Sequence, residues 1–136
     1  MTTAVAFATL AATLAAATAA PHARYERIAH SYFNAWNAHD EAALRALFTD
    51  DVSLRDWDIS KSGSSAVVKA NANIWKAVPN VRIEVLVIHA SDHTSSAVCE
   101  ILVHLGDTAS TVLKVVDVLT IDVAASKISS VRAYKG

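Results

Sequence analysis

The chain predicts an α+β fold in which N-terminal helices pack on a curved antiparallel sheet and leave a pocket between them. Three observations predict it. Before residue 80 the apolar residues recur every three or four positions, the period of a half-buried helix. After it they alternate, the period of a half-buried strand. In one of those alternating runs a carboxylate, Asp117, stands on the apolar face. Helical segments followed by hairpin-connected strands define the α+β class.

The elements follow in order. Tyr25, Ile28, Ala29, Tyr32, Phe33 and Trp36 make one stripe, and that helix ends around Asn37-Ala38-His39. Asp40 is a plausible N-cap for a second helix through Ala43, Leu44, Leu47 and Phe48. Asp50-Asp51 breaks the pattern, and Val52 to Asp56 reads as a short strand. Ser60 to Ser65 reads as a loop. Ser64 or Ser65 caps a third helix carrying Val67, Val68, Asn71, Ile74, Trp75 and Val78, which Pro79-Asn80 ends. Strands are expected over Val81–Ile88, Ser96–Leu105, Thr111–Val123 and Ile128–Tyr134.

Parity then selects side chains. Leu113, Val115, Leu119 and Ile121 share a face with Asp117, while Lys114, Thr120 and Asp122 take the other. A carboxylate among aliphatic groups must find hydrogen bonds, find a cation, or stay protonated. An Asp at the sheet rim that reaches water is the plainer reading. Asp56 shares parity with Val52 and Leu54, and a strand-end turn residue is its plainer reading. Tyr32 lies on the buried stripe between Ile28 and Trp36, as a core aromatic or as a buried hydroxyl in need of a partner. Trp36, Trp57, Trp75 and Phe33 are the candidates to line the cavity. Core filling accounts for Trp36 and Trp75 equally well, and Trp57, beside Asp56, is the first to meet a ligand.

Composition bounds the rest. A chain of 136 residues holds one domain with a real core. Its formal net charge of −1 supplies no basic field for nucleic acid. Cys99 is the one cysteine, so no intrachain disulfide and no thiolate zinc cluster forms; its parity with Ala97, Ile101 and Val103 makes it a small core residue. The six histidines share no helix face that would hold a metal, and no metal or cofactor is expected. Residues 1–20 carry no charge and are rich in Ala and Thr. They read as a cleaved secretory or targeting segment, with Ala17-Thr18-Ala19 as an A-x-A-like site, or as an Ala-rich arm. They are too short and too weakly apolar for a membrane span. The protein is secreted or targeted if that segment is cleaved and cytoplasmic otherwise, and the single domain runs over residues 21–136.

Tyr32-Phe33-Asn34-Ala35-Trp36-Asn37-Ala38-His39-Asp40, the run Leu47-Phe48-Thr49-Asp50-Asp51 and the closing Val131-Arg132-Ala133-Tyr134 resemble the NTF2-like superfamily. The ketosteroid isomerase and SnoaL-like polyketide cyclase branches are nearest in style. The resemblance spans about residues 24–135. It implies a cone of helices on a curved sheet around a pocket. It also implies Tyr32 as a hydrogen-bond donor to a substrate oxygen, Asp56 as the general base, and a protonated Asp117 as the second oxyanion donor; ketosteroid isomerase is a standard example of such pKa tuning. Trp57 stands where the isomerases commonly have proline, and Tyr25 and Tyr134 match the family's supporting tyrosines by type alone.

The implied activity is proton abstraction next to a carbonyl, in an isomerisation or a cyclisation, on a small apolar or carbonyl-containing molecule. The alternative is a non-catalytic module of the same fold that binds a small apolar ligand or dimerises. Leu86, Ile88, Val98 and Leu102, mixed with Glu100 and His104, are expected on the sheet face opposite the cavity, where a homodimer contact would lie.

Overall fold

A computed structural model of the chain describes residues 20–136. The expected N-terminal segment lies, apart from Ala20, outside the described residues. Three helices, α1 (Ala23–Asn37), α2 (Glu41–Ala46) and α3 (Ser64–Ala77), pack on one six-stranded sheet. The strands are β1 (Phe48–Arg55), β2 (Ser60–Ser62), β3 (Arg82–Ser91), β4 (Ser96–His104), β5 (Val112–Asp122) and β6 (Lys127–Lys135). They lie in the order β2-β1-β6-β5-β4-β3, and the sheet is open, not closed into a barrel. No helix among the described residues is long and apolar enough to cross a membrane.

The helices form for local reasons. On α1 the residues Tyr25, Ala29, Tyr32, Phe33 and Trp36 are buried along one stripe, as the spacing requires. Asp40 caps α2: its side chain accepts a hydrogen bond from the Ala43 backbone N–H at 3.0 Å. His39, between the two helices, adopts a left-handed φ of 51° and reverses the chain. The α3 start differs from the expected serine cap. Gly63 occupies the cap position at φ 91°, a conformation open to glycine, and no side chain caps the first turn.

Four expectations are corrected in the sheet. It is mixed, because β1 runs parallel to β6 while every other neighbouring pair is antiparallel. β1 begins at Phe48, not at Val52, because Phe48 pairs with Ile128 and both are fully enclosed. The Asp50-Asp51 break survives as an irregularity: the register slips between Phe48 and Ser53. Ser60–Ser62 forms a short edge strand on β1, where no apolar residue announces it.

The fourth correction concerns β3. Val85 pairs with Ile101 but Val87 pairs with Glu100, so one residue is extra at Leu86. Such a bulge reverses the parity of everything beyond it. Ile88 therefore pairs with Cys99 and packs on the core, instead of sharing the outer face with Leu86. Leu86 and Val87 are exposed, and the outer face also carries the pairs His89–Glu100 at 2.7 Å and His104–Glu84 at 3.0 Å.

Candidate active site

A cavity of about 250 Å³ opens between α1, α3 and the inner face of the sheet. Its wall is mainly aliphatic, with Ile74, Ile83, Ile101, Val115 and Val131 among its residues. Seven polar or aromatic groups interrupt it: Tyr32 and Trp36 from α1, Asn71 from α3, Asp56, Trp57 and Asp58 from the turn after β1, and Asp117 from β5. The strand register aims Asp117 inward. Val115, Asp117, Leu119 and Ile121 are all buried, and Asp117 pairs with Cys99 on one side and Ala133 on the other.

Asp117 is 5 % exposed, and no hydrogen bond from a described residue reaches its carboxyl group. No cation among the described residues faces it within ion-pair distance. Of the three outcomes open to a buried carboxylate, protonation remains. Burial pushes its pKa up from 3.8 to about 7, and the negative charge of Asp56 pushes in the same direction. A protonated Asp117 presents an O–H donor to the cavity.

Tyr32 is 3 % exposed, with its ring edge-on to Phe33 at 5.1 Å and tilted against Phe48 at 6.2 Å. Its hydroxyl has no hydrogen-bond partner among the described residues. Burial, then the charges of Asp117 and Cys99, hold its pKa well above 10, so it keeps its proton. Tyr32 and, below about pH 7, Asp117 thus line the cavity as neutral donors with no acceptor among the described residues to occupy them. The supporting tyrosines lie elsewhere: the Tyr25 hydroxyl donates to Asp92 at 3.0 Å, and Tyr134 is exposed on the outer face. Cys99 is enclosed behind Asp117, and burial pushes its thiol up to about 12, so it is no nucleophile.

Asp56 stands at the mouth and serves two readings at once. Its Oδ1 accepts from the Asp58 N–H at 2.7 Å and the Ile59 N–H at 2.5 Å, closing the turn that carries the chain from β1 to β2. Its second carboxylate oxygen has no hydrogen bond among the described residues, and the residue lines the cavity. The turn therefore fixes the carboxylate with one oxygen spare.

The aromatic candidates divide. Trp36 lines the cavity and Trp57, 42 % exposed, stands at its entrance. Phe33 and Trp75 are buried but are not part of the lining. Phe33 backs Tyr32, and Trp75 stacks on His39 at 5.1 Å and meets Trp36 edge-on at 5.8 Å, so both support the wall from behind.

Asn71 is the lining residue that sequence reasoning placed on a helix stripe without a role. The Trp36 indole N–H donates to its Oδ1 at 2.9 Å, and its own amide donates to the Val67 carbonyl at 2.9 Å. An indole N–H only donates, so the amide's orientation is fixed and one N–H remains to face the cavity. The signal was a carboxamide on an otherwise apolar helix face. Asn71→Leu is expected to cost about 1–3 kcal/mol, since it orphans the Trp36 N–H in a dry wall; urea denaturation checks this.

Among the described residues no three His, Cys, Asp or Glu side chains group as a metal site. The sequence profile of the SnoaL-like domain matches residues 29–131, most of the chain. The protein belongs to the SnoaL-like family. Solved structures share the fold of this SnoaL-like protein. A proposed ketosteroid isomerase from Kribbella flavida superposes with a TM-score of 0.71 at 19% identity, covering 85% of this chain and 79% of that one. A proposed polyketide cyclase from Sinorhizobium meliloti gives 0.69 at 20% identity, over 79% and 93%. The epoxide hydrolase/cyclase-like enzyme SalBIII, of pyran ring formation in the polyether salinomycin, gives 0.73 at 20% identity, over 85% and 93%. No curated protein matches.

Proposed function

We propose that this SnoaL-like protein catalyses proton abstraction next to a carbonyl, followed by reprotonation or ring closure. Asp56 removes the proton with its spare oxygen. The electron pair moves onto the carbonyl oxygen, where Tyr32 and protonated Asp117 each donate a hydrogen bond. Such preorganised donors in a water-poor site are commonly the largest catalytic contribution. The observation that carries the reading is the presence of Tyr32 and Asp117, two buried donors, in one cavity lining with no acceptor among the described residues. The isomerase and cyclase descriptions of the structural neighbours support the same chemistry. Drug-sized ligands take pockets of about 300–1,000 Å³. A cavity of about 250 Å³ therefore suits a compact carbonyl compound better than a fused four-ring one. We place the homodimer contact on the outer sheet face, around exposed Leu86 and Val87.

A phenol imitates the enolate oxygen, and titration read by tryptophan fluorescence measures its fit. Tyr32→Phe and Asp117→Leu are each expected to weaken phenol binding about two- to tenfold, the worth of a hydrogen bond to a neutral acceptor. Binding indifferent to both changes would favour a purely apolar ligand pocket without catalysis.

A further inference from the structure

Beside the cavity entrance lies a second hollow, a groove of about 600 Å³ that shares Asp56, Trp57 and Ala133 with the cavity lining. The strand register makes it. The pairing of β1 with β6 ends at Arg55 opposite Arg132, and β1 then turns away at Asp56 while β6 runs on to Lys135. The departing strand leaves a gap beside Ala133, Tyr134 and Lys135. Three cations stand around that gap, Arg55, Arg132 and Lys135, against one carboxylate, Asp56. None of the three cations makes an ion pair or a side-chain hydrogen bond with a described residue. The Lys135 ammonium sits 5.2 Å above the Trp57 ring, so the tryptophan at the entrance is itself bound to this charged wall. Three like charges gathered in one concavity repel one another, and an anion relieves that repulsion while accepting charge-assisted hydrogen bonds.

We propose that this groove is an anion subsite of the active site, and that the substrate is a carbonyl compound carrying a carboxylate or a phosphate. The carbonyl end enters the apolar cavity toward Tyr32 and Asp117. The anionic end passes Trp57 into the groove beyond the end of β1, where Lys135 and the outward-facing Arg55 and Arg132 stand. The placement of the carbonyl end rests on the reading given under Proposed function; the subsite stands on the groove alone.

Isothermal titration calorimetry with four probes tests it: phenol, 3-(4-hydroxyphenyl)propionate, 2-(4-hydroxyphenyl)ethyl phosphate, and 3-phenylpropionate, which has the anion but no hydroxyl. At low salt the two acidic phenols are expected to bind about tenfold tighter than phenol. The gain should fall as salt is raised. A double variant, Arg132→Gln with Lys135→Gln, is expected to bind acidic and plain phenols alike. Both side chains are at the surface without hydrogen bonds, and a thermal melt confirms that the variant folds. A larger gain for the phosphate assigns the subsite to phosphorylated substrates, and an equal or smaller one to carboxylates. Equal affinity of acidic and plain phenols in the wild type, or a gain that survives the double variant, overturns the subsite. Failure of the active-site reading looks different: phenol would then ignore Tyr32→Phe, while 3-phenylpropionate would still bind and still lose affinity in the double variant.

Discussion

Asp56→Asn is expected to slow α-proton exchange by about 10²- to 10⁴-fold, the usual worth of a positioned general base, and to leave the fold intact. The reason lies in how Asp56 is held. Its Oδ1 accepts the N–H groups of Asp58 and Ile59, and an asparagine keeps that acceptor while replacing the spare oxygen with a non-basic amide. The turn is expected to survive and the proposed chemistry is not. Asp56→Ala removes both and confuses the two effects. The assay is exchange of the α-protons of 3-cyclohexen-1-one in heavy water, followed by proton NMR, with conversion to the conjugated ketone read by absorbance. Unchanged exchange in Asp56→Asn removes this residue from the mechanism. A second consequence follows from electrostatics. The Asp56 charge adds to the burial that raises the Asp117 pKa, so the asparagine variant moves Asp117 part of the way back down.

Asp117→Leu separates stability from catalysis in opposite directions. The folded pKa of Asp117 is raised from 3.8 to about 7, so the folded chain holds this proton more tightly than the unfolded chain does. The stabilisation is complete below about pH 4 and is lost progressively as pH rises to about 7, because ionisation is easier after unfolding. At about 1.4 kcal/mol per pH unit the move from 3.8 to about 7 amounts to about 4 kcal/mol, a large share of the 5–15 kcal/mol typical of a domain. Denaturant unfolding between pH 4 and pH 8 should therefore show the wild type losing stability while the leucine variant holds it. On the proposed mechanism the same change removes one oxyanion donor and is expected to lower turnover about 10²- to 10³-fold. Wild-type activity is expected to fall above about pH 7 as the donor proton leaves, and Asp117→Asn, which keeps an N–H donor, is expected to flatten that alkaline limb. A leucine variant that is strongly destabilised at every pH would show the carboxyl to be a structural hydrogen-bonding group instead.

The parts of the site that parity governs were legible in the sequence. β4 and β5 pair from Ser96↔Thr120 to His104↔Val112 without a slip, so counting by twos along β5 placed Asp117 correctly among buried neighbours. The α1 stripe placed Tyr32 inside by the same kind of counting. Where the register slips, counting fails: the extra residue at Leu86 sends Ile88 inward with Cys99, and no local signal in Val-Leu-Val-Ile announces it. Long-range pairing is hidden for a related reason. The parallel contact of β1 with β6 joins residues far apart in sequence, and neither strand's pattern names its partner. The double service of Asp56, as turn cap and as cavity carboxylate, was visible only as two competing readings. The basic groove was not visible at all, because its three cations come from the ends of two strands that meet only in the folded sheet.

The proposed chemistry depends on the side chains of residues 32 and 117 gripping the same oxygen. Carbon-13 labelling of aspartate, with Asp117 assigned through Asp117→Asn, follows that carboxyl group directly as pH is varied, with and without phenol. The expected result is a carboxyl that is protonated at pH 5, titrates near pH 7, and shifts its resonance when phenol binds in wild type more than in Tyr32→Phe. A carboxyl that titrates near pH 4 and takes no notice of phenol would contradict the oxyanion site.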